Sequence, residues 1–433
     1  MTNDIPEEFE LDGIRRLGSQ QDLIQEAIGS FGTYQFLLCA LVFLSKIPIA
    51  LHQMAIIFLA PNTDYMCPEK NTCPCPAPQF NTSIFTNTII MQWSLICDDK
   101  WLVCFTQTIF QFGTLVGSIL FGMASDRFGR RLPMVVAVVL EASMGIIAVY
   151  MPSYELFTFI RFLIGTSVGG SMVIGFVIIM EFVGTKYRDT LSALYQTPFN
   201  FGHINKRPTT NLRSTINRYQ ALVERNSLKK GNILDLFKTP NMRKNILAMS
   251  FNWLACSYCF YGVSQYIGQL SGNIFINVLC SASVTLLGTL CSIPLMKLIG
   301  RRTILIVFNF VCAACLFILA ALPQGLISVV FASIGVVSSF IVFVLVYLFC
   351  SELFPTVVRT AAIGFSSMMA RIGSMIAPFV IALDTTAVWL PPVLFAVIPL
   401  ISGFVAFLLP ETKGYELMTT LEEGENFGKK NNT

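Results

Sequence analysis

Apolar residues in this chain fall into long blocks separated by short polar punctuation. Ten blocks stand out, at roughly 33–60, 101–124, 132–151, 155–180, 245–266, 272–296, 303–322, 326–349, 360–383 and 387–409. About 20 mostly apolar residues are enough to cross a bilayer as a helix. Without water, only helices and closed barrels satisfy their own backbone, and blocks this long without strict alternation must be helices. The pattern predicts an all-α polytopic membrane protein with about ten spans.

Composition agrees. Of the 433 residues 54% are hydrophobic and 12% charged, about half the charged share of a soluble domain. The first 25 or so residues are polar and acidic, so no cleavable signal peptide is expected and block 33–60 serves as the first span. If residues 1–32 are cytoplasmic, the loops on that side hold 24 of the 29 Lys and Arg, and the outer loops hold only Lys70 and Lys100. This asymmetry places both termini inside. Lys46, Arg161 and Arg371 remain within spans, where a charge is costly and usually has a task.

The long outer segment, 61–100, contains Cys67, Cys73, Cys75 and Cys97. Four cysteines on the oxidising side predict two disulfides, with three connectivities open. Asn81-Thr82-Ser83 on the same side is a glycosylation sequon.

The chain is internally duplicated. Gly129-Arg130-Arg131 follows one span and Gly300-Arg301-Arg302 another, 171 positions later. Glu181-Phe-Val-Gly-Thr-Lys-Tyr-Arg188 and Glu352-Leu-Phe-Pro-Thr-Val-Val-Arg359 share that offset of 171. Two motif pairs with one offset indicate a parallel repeat of two helical bundles. The second bundle, 245–410, has six spans, and 411–433 forms a cytoplasmic tail. The first, 33–203, has four spans and a stub of a fifth at 189–203. The loop 204–244 follows, with ten Lys and Arg against Glu224 and Asp235, and holds no span. Leu212, Ile216, Tyr219 and Val223 there lie at helical spacing and predict a helix on the inner surface. The deficit corresponds to two helices, about 60 residues at the Gly202–Lys206 junction, each helix needing about 20.

These motifs resemble the organic ion transporter family of the major facilitator superfamily, which carries organic cations, anions and carnitine-like zwitterions. Gly122-Met-Ala-Ser-Asp126-Arg127-Phe-Gly129-Arg130-Arg131 fits the superfamily loop motif at each required position, and Arg161-Phe-Leu-Ile-Gly165 resembles its fourth-helix motif. Glu181-Phe-Val-Gly, Glu352-Leu-Phe-Pro-Thr, Pro410-Glu-Thr-Lys-Gly414 and Trp93-Ser-Leu-Ile-Cys97 resemble the organic ion branch; a sugar porter shares some of them. The branch's Pro-Glu-Ser-Pro-Arg-Trp stretch is missing, and the outer loop is about half the branch's usual length. The resemblance implies a major facilitator fold of two pseudo-symmetric bundles, with about 10 helices instead of 12. It also implies alternating access around a midplane site.

On this reading the cluster Asp126, Arg127, Arg130 and Arg131 closes the inner side in one state, pairing with helix ends and acidic groups of the other half. Glu181, Arg188, Glu352 and Arg359 can supply those partners. Lys297 stands where the repeat would place Asp126, so the second copy is expected to gate more weakly. Arg371, mid-span, suits a polar cavity and can hold a carboxylate bidentately. The resemblance associates a basic residue there with anion and carnitine carriers. Arg371 could instead be a structural pair of Glu141 or of a helix end. Lys46 either adds positive potential to the cavity or snorkels. Arg161 is expected to order the first bundle, with Glu141 as a candidate partner. Tyr258, Phe260, Tyr261 and Tyr347 are candidate substrate contacts, since aromatics stack on organic ions, or else ordinary packing.

With two histidines, no metal-spaced Cys/His set and no phosphate loop, neither an enzyme nor a metal or cofactor site is expected. The expectation is a multi-pass plasma-membrane carrier moving small organic anions or zwitterions by secondary-active transport, coupled to an ion or an exchanged anion. Its partners are the substrate and the lipid bilayer, with no nucleic acid. The alternatives are a cation carrier of the same family or a truncated, non-transporting isoform.

Overall fold

A computed structural model of the chain describes residues 33–61, 65–67, 73, 75, 78–83, 85–182, 235–270, 274–323, 325–415, 418 and 420–428. All ten apolar blocks are helical: α1 Thr33–Met54, α2 Trp101–Phe128, α3 Arg131–Ala148, α4 Tyr154–Phe182, α5 Pro240–Ile267, α6 Ile274–Leu298, α7 Arg301–Ala321, α8 Leu326–Leu353, α9 Thr356–Ala382 and α10 Leu390–Ala406. Eight are long and apolar enough to cross a membrane on their own; α10 is apolar but shorter, and α6 is 25 residues long.

The boundaries have local causes. Gly129 at φ 80° occupies the left-handed region and stops α2, so Asp126 and Arg127 belong to the last helical turn rather than to a loop. Pro240 sits in the first turn of α5, where its missing N–H is harmless, so the predicted loop ends at 239 rather than 244. Residues 189–234, with the stub and the predicted surface helix, lie outside the described residues.

α4 packs on α1, α2 and α3, and α5 packs on α8, α9 and α10. The α2–α4 contact is backbone against backbone. A Cβ at Gly113 or Gly117 would strike the carbonyls of Phe162 or Thr166, and one at Gly165 or Gly169 those of Phe110 or Thr114. Such small-x3-small pairs bring transmembrane helices together by dispersion where lipid supplies no hydrophobic force. The second half has one continuous core through Trp253, Phe349, Phe354 and Phe395. Within it, Asn309 Nδ2 (3.3 Å) and Ser402 Oγ (2.7 Å) both donate to Asn252 Oδ1, tying α7 and α10 to α5.

The outer loop carries a two-stranded hairpin, β1 Tyr65–Met66 with β2 Gln79–Phe80, bounded by disulfides Cys67–Cys75 and Cys73–Cys97. Asn81 is exposed, and its Oδ1 accepts from the Ser83 N–H at 3.0 Å.

Candidate substrate cavity between the halves

Lys46 on α1 and Arg371 on α9 come from opposite halves, are 2% and 4% exposed, and lie close enough for their charges to act on one another. Arg371 Nη2 donates to Met172 Sδ on α4 at 3.4 Å, and Gln53 Nε2 reaches the same sulfur at 3.6 Å. The Tyr261 side chain lies within electrostatic range of Arg371, while the buried Arg371 Nε has no acceptor among the described residues. Among the described residues no carboxylate pairs with this guanidinium, so the alternative structural pairing with Glu141 or a helix end is not formed. Glu141 is buried with neither carboxylate oxygen hydrogen-bonded.

An aromatic wall flanks the two cations. Phe260 meets Tyr261 (5.1 Å) and stacks on Phe343 (5.9 Å), and Phe343 meets Tyr347 (5.6 Å). Tyr347 contacts Trp253 at 4.3 Å and, across the interface, Phe176 of α4 at 5.3 Å. Tyr258 does not join them. It lies near the face of α5 where Gly262 admits the ring of Phe395, and its own ring packs on Phe395 at 4.9 Å, within the second bundle.

Arg161 is the third intramembrane cation. Its guanidinium lies over the Phe110 ring at 4.3 Å, and it donates to Gln107 Oε1 (3.2 Å) and the His52 carbonyl (3.4 Å). It therefore ties α4 to α2 and α1; Glu141, the candidate partner, is not among its contacts.

On the side of the 61–100 loop the two halves are closed on each other. The Cys104 thiol donates to the Pro378 carbonyl (3.2 Å), Thr108 Oγ1 to the Met375 carbonyl (3.1 Å), and Gly268 abuts Ile57. Asp384, in the turn between α9 and α10, lies within range of the Lys100 charge at the start of α2. Burial pushes its carboxyl above the ordinary range, and Lys100 offsets part of that.

At the α6–α7 turn of the second half, Arg301 and Glu352 form a two-pronged ion pair, Nε–Oε2 and Nη2–Oε1 both 3.1 Å. Thr412 Oγ1 donates to Glu352 Oε2 (2.6 Å), and Glu411 accepts from the backbone N–H of Arg301 (2.7 Å) and Arg302 (3.1 Å). Glu352 is thus committed within its own half instead of crossing to the first. The second motif copy, expected to be weak, is knit together by the Pro410-Glu-Thr-Lys segment. Arg359 Nε donates to the Phe354 carbonyl at 3.3 Å, also within its half. In the first copy Arg130 Nη1 donates to Ser125 Oγ (2.8 Å), Arg127 lies over Phe128 (5.5 Å) and Arg131 is exposed. The side chains of Asp126, Glu181 and Lys297, and Arg188 altogether, lie outside the described residues.

Sequence reasoning passed over Gln53, Gln107, Gln265 and Met172. The signal was available: glutamines within apolar spans are as conspicuous as charges once amides are counted as costly in lipid.

Two bundles of lipid-length helices around a polar interior define a membrane transporter, and comparison with known proteins gives the family. The chain belongs to the Sugar (and other) transporter family, whose model matches residues 205–423, with the Major Facilitator Superfamily model matching 100–204. The Organic cation transporter-like protein of Drosophila melanogaster is 25% identical over 521 aligned positions, covering 93% of this chain and 92% of that protein. Solute carrier family 22 member 6 of Pseudopleuronectes americanus is 28% identical over 415 positions, covering 81% and 74%. In that second alignment 81% of this chain is about 351 residues, so about 64 positions face gaps in it. The inward-open xylose transporter XylE of E. coli superposes with a TM-score of 0.67 at 14% identity, covering 90% of this chain and 99% of that one, which shows the major facilitator fold. Family and fold are those of transporters rather than enzymes.

Proposed function

We propose that this protein carries small organic anions or carnitine-like zwitterions across a membrane by alternating access, with Arg371 as the carboxylate anchor. The observation that carries this reading is the buried Arg371 guanidinium, within electrostatic range of Lys46 and without a carboxylate partner among the described residues. Two cations sharing a low-dielectric site are stabilised when an anion enters between them. The wall of Tyr261, Phe260, Phe343 and Tyr347 offers faces for an apolar or aromatic body, and for the ammonium of a zwitterion. Transport proceeds by exchange or ion coupling in the plasma membrane, with both termini cytoplasmic and Asn81 glycosylated; the lysine and arginine asymmetry supports this orientation.

A cation carrier is the second reading, favoured by the names of relatives such as the Organic cation transporter protein of Drosophila melanogaster. The two buried cations argue against it. A third reading, a non-transporting isoform, draws on the roughly 64 positions facing gaps, about the length of two spans and their turns. Uptake by cells expressing the chain separates the three. Inhibition by carboxylates supports anion transport, inhibition by quaternary ammonium ions alone supports cation transport, and absence of any uptake supports the isoform.

A further inference from the structure

A cavity of about 50 Å³ lies between the halves on the side of the 61–100 loop, away from Arg371, lined among others by Ile57, Cys104, Gln107, Gln265, Gln269 and Pro378. Two of its glutamines are chemically unfinished. Gln107, on α2, is 1% exposed; its Oε1 accepts from Arg161, and among the described residues its buried Nε2 has no acceptor. Gln265, on α5, is 7% exposed, and its Nε2 likewise has no acceptor among the described residues.

The Arg161 contact fixes the Gln107 amide. A guanidinium only donates, so the oxygen must face Arg161 and the NH2 must face away from it. The charge behind the amide also polarises it and strengthens it as a donor. Two unpaired amide NH2 groups from opposite halves, one backed by a cation, form a site for a hydrogen-bond acceptor carrying negative charge. Leaving such donors unmatched in a buried site is costly, so an acceptor that reaches both is favoured.

We propose that Gln107 and Gln265 form an outer anion subsite, distinct from the Arg371 anchor, which holds a small anion while the outer ends are closed. The anion is either the substrate's carboxylate, bound on its way in or out, or inorganic chloride. The first source rests on the anion-carrier reading above; the second does not.

Cys104 lines the same cavity and reports on it. The full chain in lipid nanodiscs is treated with a thiol reagent, and modification at Cys104 is followed by peptide mass spectrometry with gluconate, chloride or benzoate as the anion. Slowing of at least threefold by chloride or benzoate relative to gluconate is expected, lost in Gln265→Leu and in Gln107→Glu. In Gln107→Glu the new carboxylate pairs with Arg161, preserving the fold while repelling the anion. Arg371→Ala should leave the protection intact. Protection by chloride alone identifies the inorganic source, and protection by benzoate alone the substrate. Equal labelling in all three salts, or protection lost in Arg371→Ala but kept in Gln107→Glu, overturns the subsite. The second outcome leaves the Arg371 anchor standing, whereas failure of the anchor with protection intact leaves the subsite standing.

Discussion

Lys46 and Arg371 lie on opposite halves within electrostatic range of each other, both buried and of like charge. Neither bundle alone would place two cations there; the juxtaposition exists only when the halves are assembled. If both charges serve an anion, removing one should weaken anion binding. Lys46→Met is therefore expected to cut benzoate affinity on the order of tenfold, about 1.4 kcal/mol. The shift of thermal unfolding on adding benzoate reads the effect.

The glycine interlock between α2 and α4 leaves no space for a methyl group, since the obstacle at Gly117 is the Thr166 backbone rather than a flexible side chain. Gly117→Ala should cost roughly 1–3 kcal/mol, in the range of overpacking in a filled core. Gly364, where an added Cβ meets nothing within 4 Å, is the control and should tolerate Ala with little change in unfolding temperature.

Among the described residues no donor faces the two buried carboxylate oxygens of Glu141. Met is close to it in volume and leaves nothing to desolvate. Glu141→Met should stabilise the chain by about 1–3 kcal/mol, the ordinary cost of a buried unsatisfied group. A loss of stability would mean that a donor does reach it.

Outer closure should respond to pH through Asp384. Its carboxyl lies above the ordinary range when buried in the closed outer end, burial outweighing the Lys100 charge, and returns toward that range when exposed. The closed state therefore binds the proton more tightly. Closure gains its full contribution below the ordinary carboxylate value and loses it as pH rises through the raised one. Cys104 labelling, referred at each pH to Asp384→Asn, should slow as the outer medium is acidified. A pH-independent ratio would remove Asp384 from the gate.

The 171-residue repeat turns the Arg301–Glu352 ion pair into a prediction for the first half, because the same offset maps it onto Arg130 and Glu181. Arg130→Glu and Glu181→Arg should each impair folding or transport, and the double variant should recover a large part of the loss. Absence of coupling in that cycle would break the symmetry argument.

What was legible in the sequence follows from how strongly each feature constrains the chain. Ten apolar blocks became ten helices because the bilayer leaves backbone groups no other solution. Two corrections came from single residues acting locally. Gly129 ends α2 later than the hydropathy pattern suggests, and Pro240 starts α5 earlier. Glu352 was misdirected because spacing identifies a charge's neighbours along the chain, while its partner Arg301 is 51 positions away on another helix. The Tyr258 side of α5 faces α10 rather than the cavity, and hydropathy carries no such signal in a helix buried over most of its surface. Gln107 and Gln265 carried a signal as amides within apolar spans, but their meeting at one cavity appears only once α2 and α5 are placed.

The central claim, that Arg371 anchors an organic carboxylate, is tested most directly by equilibrium binding of radiolabelled benzoate to the purified chain in nanodiscs. Wild type, Arg371→Ala and Arg371→Lys are compared, with tetraethylammonium as competitor. The account predicts saturable binding, lost by at least a hundredfold in Arg371→Ala, partly kept in Arg371→Lys because an ammonium cannot grip a carboxylate bidentately, and untouched by tetraethylammonium. Undiminished benzoate binding in Arg371→Ala, or displacement by tetraethylammonium, would contradict it.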